Sequence, residues 1–220
     1  MVYHLPTHTY PDSPLSKMSV TCRNPSPQPL LAHTVKYLID VACHTPSKNS
    51  QAYFEIIVSE DMAFHRHQLY EACRTQDPDP TGDYANIYNP QMLAPLLIIY
   101  NELPPSATHP EYVKNETDMD WTQDARIAMG ISMGVVAHSA ARLGLNIGYC
   151  GCIDATEWRQ AWSQRLPDHE WRAPQIVCVS QDQHQPLRTH PLQPGRIFES
   201  QPKQPISIHR WRPDGGEWSE

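Results

Sequence analysis

The sequence predicts helices packed on both faces of one central sheet, a sandwich of the α/β or α+β class. Three observations carry this. Apolar, β-branched or aromatic segments at Tyr53–Val58 (YFEIIV), Leu93–Tyr100 (LAPLLIIY) and Gln175–Ser180 (QIVCVS) read as strands. Segments of helical periodicity separate them, and strands alternating with helices place helices against a sheet. The middle strand is apolar almost without interruption, as suits a strand covered on both faces. The pairing direction stays open at this level.

The elements follow in chain order. Residues 1–29 are rich in Pro, Thr, His and Ser and show no period. In Leu30–Cys43, Leu31, Val35, Leu38, Ile39 and Ala42 recur at three and four residues and make one helical stripe. Thr45-Pro46-Ser47 ends it, because proline disfavours helical geometry in the residue before it. A second helix is expected over Ala63–Arg74 and a turn-rich loop over Asp77–Pro90. Asn101–Asp120 reads as a lid or a surface excursion.

The longest helix spans about Thr122–Leu143. Ile127, Ile131, Val135, Val136, Ser139 and Leu143 form one face, and Gly130, Gly134, Ala137 and Ala141 form a second face of small residues. That pattern predicts a helix buried on most sides and approached closely by other backbone. Gly144 is the expected C-terminal cap. A short helix over Glu157–Arg165 follows. The last 40 residues return to proline and polar residues and read as a tail wrapping a partner subunit, or as disorder.

The chain holds 220 residues, the length of one domain. Its 17 Lys and Arg against 24 Asp and Glu give a net charge of −7, which argues against general binding to nucleic acid or anionic membrane. The best candidate span, Ile127–Leu145, carries His138 and Arg142 and falls short of a bilayer segment. No signal peptide opens the chain, so a cytoplasmic protein is expected. The six cysteines (22, 43, 73, 150, 152 and 178) are irregularly spaced and read as reduced. Neither Cys150-Gly-Cys152 nor His65-Arg-His67 has the gap of common zinc sites, so no metal is expected.

Phosphate-cradling glycine loops, a nucleophile elbow and HExxH are all missing from the sequence. Two blocks remain. Thr45–Gln51 is a short polar turn whose Asn49 and Gln51 carboxamides suit the edge of a planar heterocycle, or else it is an ordinary helix-to-strand loop. Leu143–Cys152 (LGLNIGYCGC) follows the long helix with further glycines, so its backbone can approach a flat ligand, or it is a cap followed by a tight strand. His138 reads as a core histidine rather than a base. Tyr84, Tyr88 and Trp121 either roof a ligand or simply pack.

Together the blocks resemble the nitroreductase family of FMN-dependent oxidoreductases. Pro46-Ser-Lys-Asn-Ser-Gln-Ala-Tyr53 is similar to the family turn Pro-Ser-x-x-Asn-x-Gln-Pro-Trp, with Ala52-Tyr53 in place of Pro-Trp. Leu143-Gly-Leu145 and Tyr149-Cys-Gly-Cys152 match its helix end and flavin-facing stretch, and Ala94–Ile99 its apolar strand. Val20-Thr-Cys-Arg23 aligns with the phosphate-binding motif at Thr21 and Arg23, while Val20 replaces a leading arginine. Pro194-Gly-Arg196 matches a C-terminal phosphate cation.

The resemblance implies a three-layer α/β/α sandwich with a mixed, mainly antiparallel sheet over residues 18–200. Residues 1–17 would then be an extended or disordered segment, and 201–220 an extension docking on the partner. It implies FMN held by Thr21, Arg23, Ser47, Asn49, Gln51, Tyr149, Cys150, Gly151, Cys152 and Arg196. It also implies NAD(P)H as donor, a nitroaromatic, quinone or similar acceptor, and a homodimer with FMN at the interface. The chemistry belongs to the flavin N5, so no catalytic side chain is expected. The alternative, motivated by Val20, is a degenerate member that binds flavin or another nucleotide without turnover.

Overall fold

A computed structural model of the chain describes residues 25–74, 90–104, 118–151, 156–181, 188–190 and 193–198; of Asn49 and Arg196 it describes the backbone alone. Helix α1 (Ala32–Cys43) leads through a 3₁₀ turn (Lys48–Ser50) to strand β1 (Phe54–Ser59). Helix α2 runs from Met62–Phe64 through a π-helical turn, His65–Leu69, to Tyr70–Arg74. Strand β2 (Leu96–Glu102) follows the 3₁₀ turn Pro90–Leu93. Then come the long helix α3 (Asp118–Arg142), strand β3 (Asn146–Cys150), helix α4 (Thr156–Ser163) and strand β4 (Gln175–Ser180). A small antiparallel ladder, β5 (Arg188–His190) with β6 (Gln193–Phe198), lies in the tail, where the sequence analysis expects no strand.

The main sheet has the order β1-β2-β4-β3, and all three ladders are antiparallel. This agrees with the mainly antiparallel sheet expected. Alternation along the strands divides the core into two layers. Leu96, Ile98 and Tyr100 of β2, with Val177 and Val179 of β4, pack under Val35, Leu38 and Ala42 of α1 and Val136, Ala137 and Ala140 of α3. Leu97, Ile99, Ile176 and Cys178 face the other way, onto Phe64 and Leu69 of α2 and Trp158 and Trp162 of α4. β2 is buried at every residue: its apolar part, Leu96–Tyr100, as expected, and also Asn101 and Glu102, which the sequence places in a lid or surface excursion and whose side chains are hydrogen-bonded. The result is helix, sheet, helix: three layers.

Local chemistry explains the helix ends. The Asp61 carboxylate accepts the Phe64 N–H at 2.9 Å and caps α2, and that bond, aided by Arg165, holds its pKa below the ordinary range. Gly144 ends α3 with φ +77°: its N–H donates to the Ala141 carbonyl, and the Leu145 N–H donates to that of Ala140. This is a Schellman cap, for which a residue without Cβ is favoured. Inside the core, His65 Nδ1–H donates to the Ala94 carbonyl and Nε2 accepts from the Ser59 hydroxyl. Burial pushes its pKa down to about 4 and so keeps the imidazole neutral, against the Ala94 bond, which favours the charged form.

Two expectations for α3 are corrected. Within one protomer it is not buried on most sides: Ile127, Ile131 and Val135 are 53%, 40% and 40% exposed. Nor does other backbone approach Gly130 and Gly134, where an added Cβ would meet nothing within 4 Å. Only one arc of the helix, including Ala125, Ala128, Ser132, Val136 and Ala140, lies on the sheet. The opposite arc carries Ile127, Gly130, Ile131, Gly134, Val135 and His138. His138 is therefore an exposed residue and not a core histidine.

Candidate functional site

The turn that precedes β1 is built from its own hydrogen bonds. The Ser47 hydroxyl donates to the Gln51 carbonyl at 2.7 Å, the Ser50 N–H donates to Ser47 O and the Gln51 N–H to Lys48 O. Closing so tight a turn places Ser50 at φ +54°, a conformation uncommon for a residue with a side chain. Tyr53 then stacks on Trp121 of α3, centroids 4.5 Å apart, while Trp121 Nε1–H donates to the Leu103 carbonyl. Trp121 is buried by these contacts, which settles its role as packing rather than as an aromatic roof.

Beside this turn lies a cavity of about 520 Å³ lined by the end of α1 (Cys43, His44), the turn (Ser47, Ser50, Gln51) and the apolar side chains Phe54 and Ile56 of β1. Hydroxyls and a carboxamide at the rim above an apolar floor suit a planar, heteroatom-edged ligand. Phe54 rests on Tyr100 at 5.3 Å. The Tyr100 hydroxyl is 3.1 Å from Ser132 Oγ, and the Ser132 hydroxyl donates to the Ala42 carbonyl at 2.8 Å. Tyr100 therefore donates to Ser132, and this chain ties β2, α3 and the last turn of α1 together behind the cavity. Burial pushes the Tyr100 phenol up to about 12, so it remains protonated.

The second block resolves into strand β3 and Gly151. Tyr149 is partly exposed on the α1/α3 face, and burial raises its phenol. The Cys150 side chain points the other way, into the core with Trp158 and Cys178, so only its backbone is available to a ligand. At Gly151 an added Cβ would come within 2.7 Å of the Gln175 carboxamide. The Gln175 side-chain end would have to shift to admit a larger residue there.

Where the sheet places the two blocks decides what they can do together. Phe54 pairs with Glu102, Tyr100 with Gln175, and Cys150 with Ile176. The start of β1 and the end of β3 therefore lie at the same end of the sheet. They occupy its opposite edges, three strand spacings or about 14 Å apart. One protomer does not bring Ser47 and Gln51 into contact with residues 149–151. Thr21, Arg23, Cys152, Tyr84 and Tyr88 lie outside the described residues, as do the side chains of Asn49 and Arg196. Cys43 and His44 were missed in the sequence, where they read only as the last turn of a helix; nothing in their types or spacing marks a cavity. Among the described residues no cluster of His, Cys, Asp and Glu could hold a metal, and no helix is long and apolar enough to cross a membrane.

Neither a protein-family model nor any curated protein sequence matches the chain. Solved structures do match. A nitroreductase with bound FMN from Bacteroides fragilis superposes with a TM-score of 0.59 at 10% identity, over 91% of this chain and 100% of that one. An iodotyrosine deiodinase bound to FMN and 3-iodo-L-tyrosine superposes at 0.58, 15% identical, over 90% and 96%. A nitroreductase family protein from Clostridium novyi does so at 0.52, 12% identical, over 74% and 80%. Identities this low speak for architecture alone. The antiparallel sheet between two helix layers, at whose end both candidate blocks lie, is the nitroreductase fold.

Proposed function

We propose that the protein is an FMN-dependent oxidoreductase that passes electrons from NAD(P)H to a nitroaromatic, quinone or similarly conjugated acceptor. The observation that carries this reading is the cavity at the Ser47–Gln51 turn, whose polar rim and apolar floor have the chemistry of a flavin ring's edge and face. Similarity to structures described with bound FMN supports the cofactor. When bound, FMN supplies the redox chemistry: it takes two electrons with a hydride from reduced nicotinamide and releases them to the second substrate.

The residues of this chain would divide the remaining work. Ser47, Asn49 and Gln51 would hydrogen-bond the ring from the turn, and the backbone of Tyr149, Cys150, Gly151 and Cys152 would border it from the β3 edge. Thr21, Arg23 and Arg196 would hold the ribityl phosphate, with Val20 lowering the positive charge expected there. Residues 18–200 would form the FMN-binding domain, flanked by 1–17 and by a 201–220 extension docked on the partner.

The reading includes a homodimer with FMN at the interface. The separation of the two blocks across the sheet supports it, since a second copy can supply the half of the site that one protomer holds too far away. The exposed Ile127, Ile131 and Val135 beside open glycines on α3 support it again. The described cysteines Cys43, Cys150 and Cys178 are thiols, which suits a reducing, cytoplasmic setting.

The test is an absorbance spectrum of protein purified with FMN and then desalted, followed by anaerobic NADPH or NADH. Flavin bands that bleach with either donor are expected. Protein that stays colourless overturns the assignment, and retained flavin that no donor bleaches points to the degenerate alternative.

A further inference from the structure

Lys48 lies in the turn and Asp124 on α3, 76 residues away in sequence, yet Lys48 Nζ and Asp124 Oδ2 are 2.5 Å apart. The Asp124 side chain is 18% exposed and that of Lys48 49%. The carboxylate is thus sheltered enough that its attraction for the ammonium is only partly screened. We propose that Asp124 is a positioning residue, which through Lys48 holds the Lys48–Ser50 turn in its ligand-binding shape. This rests on the FMN reading above.

A left-handed Ser50 is disfavoured and persists only where its surroundings over-determine it. The bonds among Ser47, Lys48, Ser50 and Gln51 close the turn on itself, but they do not fix it relative to the fold. Two contacts from α3 do so. Trp121 grips Tyr53 just after the turn, and Asp124, three residues on along the same helix, grips Lys48 at its start. The segment carrying Ser47, Asn49 and Gln51 is thereby held at both ends by a single rigid helix. The pairing also commits the Lys48 charge to Asp124, so Lys48 does not replace the cation lost at Val20.

The experiment compares Asp124→Asn, Lys48→Met and the charge exchange Lys48→Asp with Asp124→Lys. It reads FMN dissociation constants, thermal midpoints, and amide hydrogen exchange at Ser50 and Gln51. Each single variant is expected to weaken FMN about five- to tenfold and to speed exchange at both amides. The thermal midpoint should barely move, because ion pairs this exposed add little to global stability. The exchanged pair should recover most of the affinity and protection, which a role for either side chain in contacting FMN would not allow. Wild-type-like affinity in Asp124→Asn overturns the proposal. If the wild type takes up no FMN, the FMN reading fails, and the exchange data alone judge the latch: unchanged protection of Ser50 and Gln51 in Asp124→Asn refutes it.

Discussion

The Ser59 hydroxyl and His65 Nε2 lie 2.7 Å apart inside the core, and the other ring nitrogen of His65 donates to the Ala94 carbonyl. One imidazole thus joins the end of β1, the π-helical turn of α2 and the approach to β2. Burial disfavours the charged ring, so the neutral imidazole is the form that holds these contacts.

A pH dependence follows from the burial of that ring. The pKa of His65 falls from 6.5 to about 4 on folding. Between these values the unfolded chain binds more protons than the folded one. The stabilisation is therefore complete above pH 6.5 and is lost as pH falls towards 4, by about 3 kcal/mol in all. Urea unfolding across pH 4 to 7 should show this slope, and His65→Gln should flatten it while lowering stability at pH 7. An equally steep slope in the variant would refute the assignment.

The outward arc of α3 predicts an assembly effect. Ile131→Arg puts a charge on the exposed apolar face without touching the core. Its circular dichroism should match the wild type, while its dimer dissociation constant rises by about a hundredfold or more in sedimentation. On the proposed dimer, in which each copy would supply one edge of the site, FMN retention should fall with it. A variant that stays dimeric would remove α3 from the interface.

Gly134 within α3 and Gly144 at its C-terminal cap should respond oppositely to alanine. Gly144 sits at φ +77°, so Gly144→Ala should cost about 1 kcal/mol. At Gly134 nothing lies within 4 Å of an added Cβ, and alanine is the better helix former. Placed in the Ile131→Arg background, Gly134→Ala should gain about 0.5–1 kcal/mol. Chemical denaturation of the single and double variants measures both.

Trp121→Phe removes the Nε1–H donor from the Leu103 carbonyl and shrinks the ring on Tyr53. A loss of about 1–3 kcal/mol is expected in urea unfolding. Because Trp121 and Asp124 share one helix end, the variant should also loosen the turn, seen as faster exchange at Gln51. A stable variant with unchanged exchange would show that Asp124 holds the turn without help.

Local pattern determined much of this protein. β4 occupies Gln175–Ser180 and α1 ends at Cys43, as their apolar periodicity and the following Pro46 require. β2 is buried on both faces along Leu96–Tyr100 because every residue there is apolar. Gly144 caps α3 since glycine accepts the left-handed backbone there. The turn block and the β3 block were both legible as candidate ligand contacts from residue type and spacing.

Tertiary structure decided what those segments face. The apolar residues of α3 could not be sorted by sequence, because Ile127 and Val136 are alike in hydrophobicity and differ only in which arc meets the sheet. The same holds for Gly151, which lies beside the Gln175 carboxamide, a neighbour brought there by strand pairing and invisible in the local sequence. Cys43 and His44 became cavity residues when β1 folded back beside the end of α1. Lys48 found Asp124 across 76 residues for the same reason. Periodicity reports how one segment divides polar from apolar, whereas sites, latches and interfaces depend on which segments the sheet order makes neighbours. Here that order put the two candidate blocks at one end of the sheet and on opposite edges.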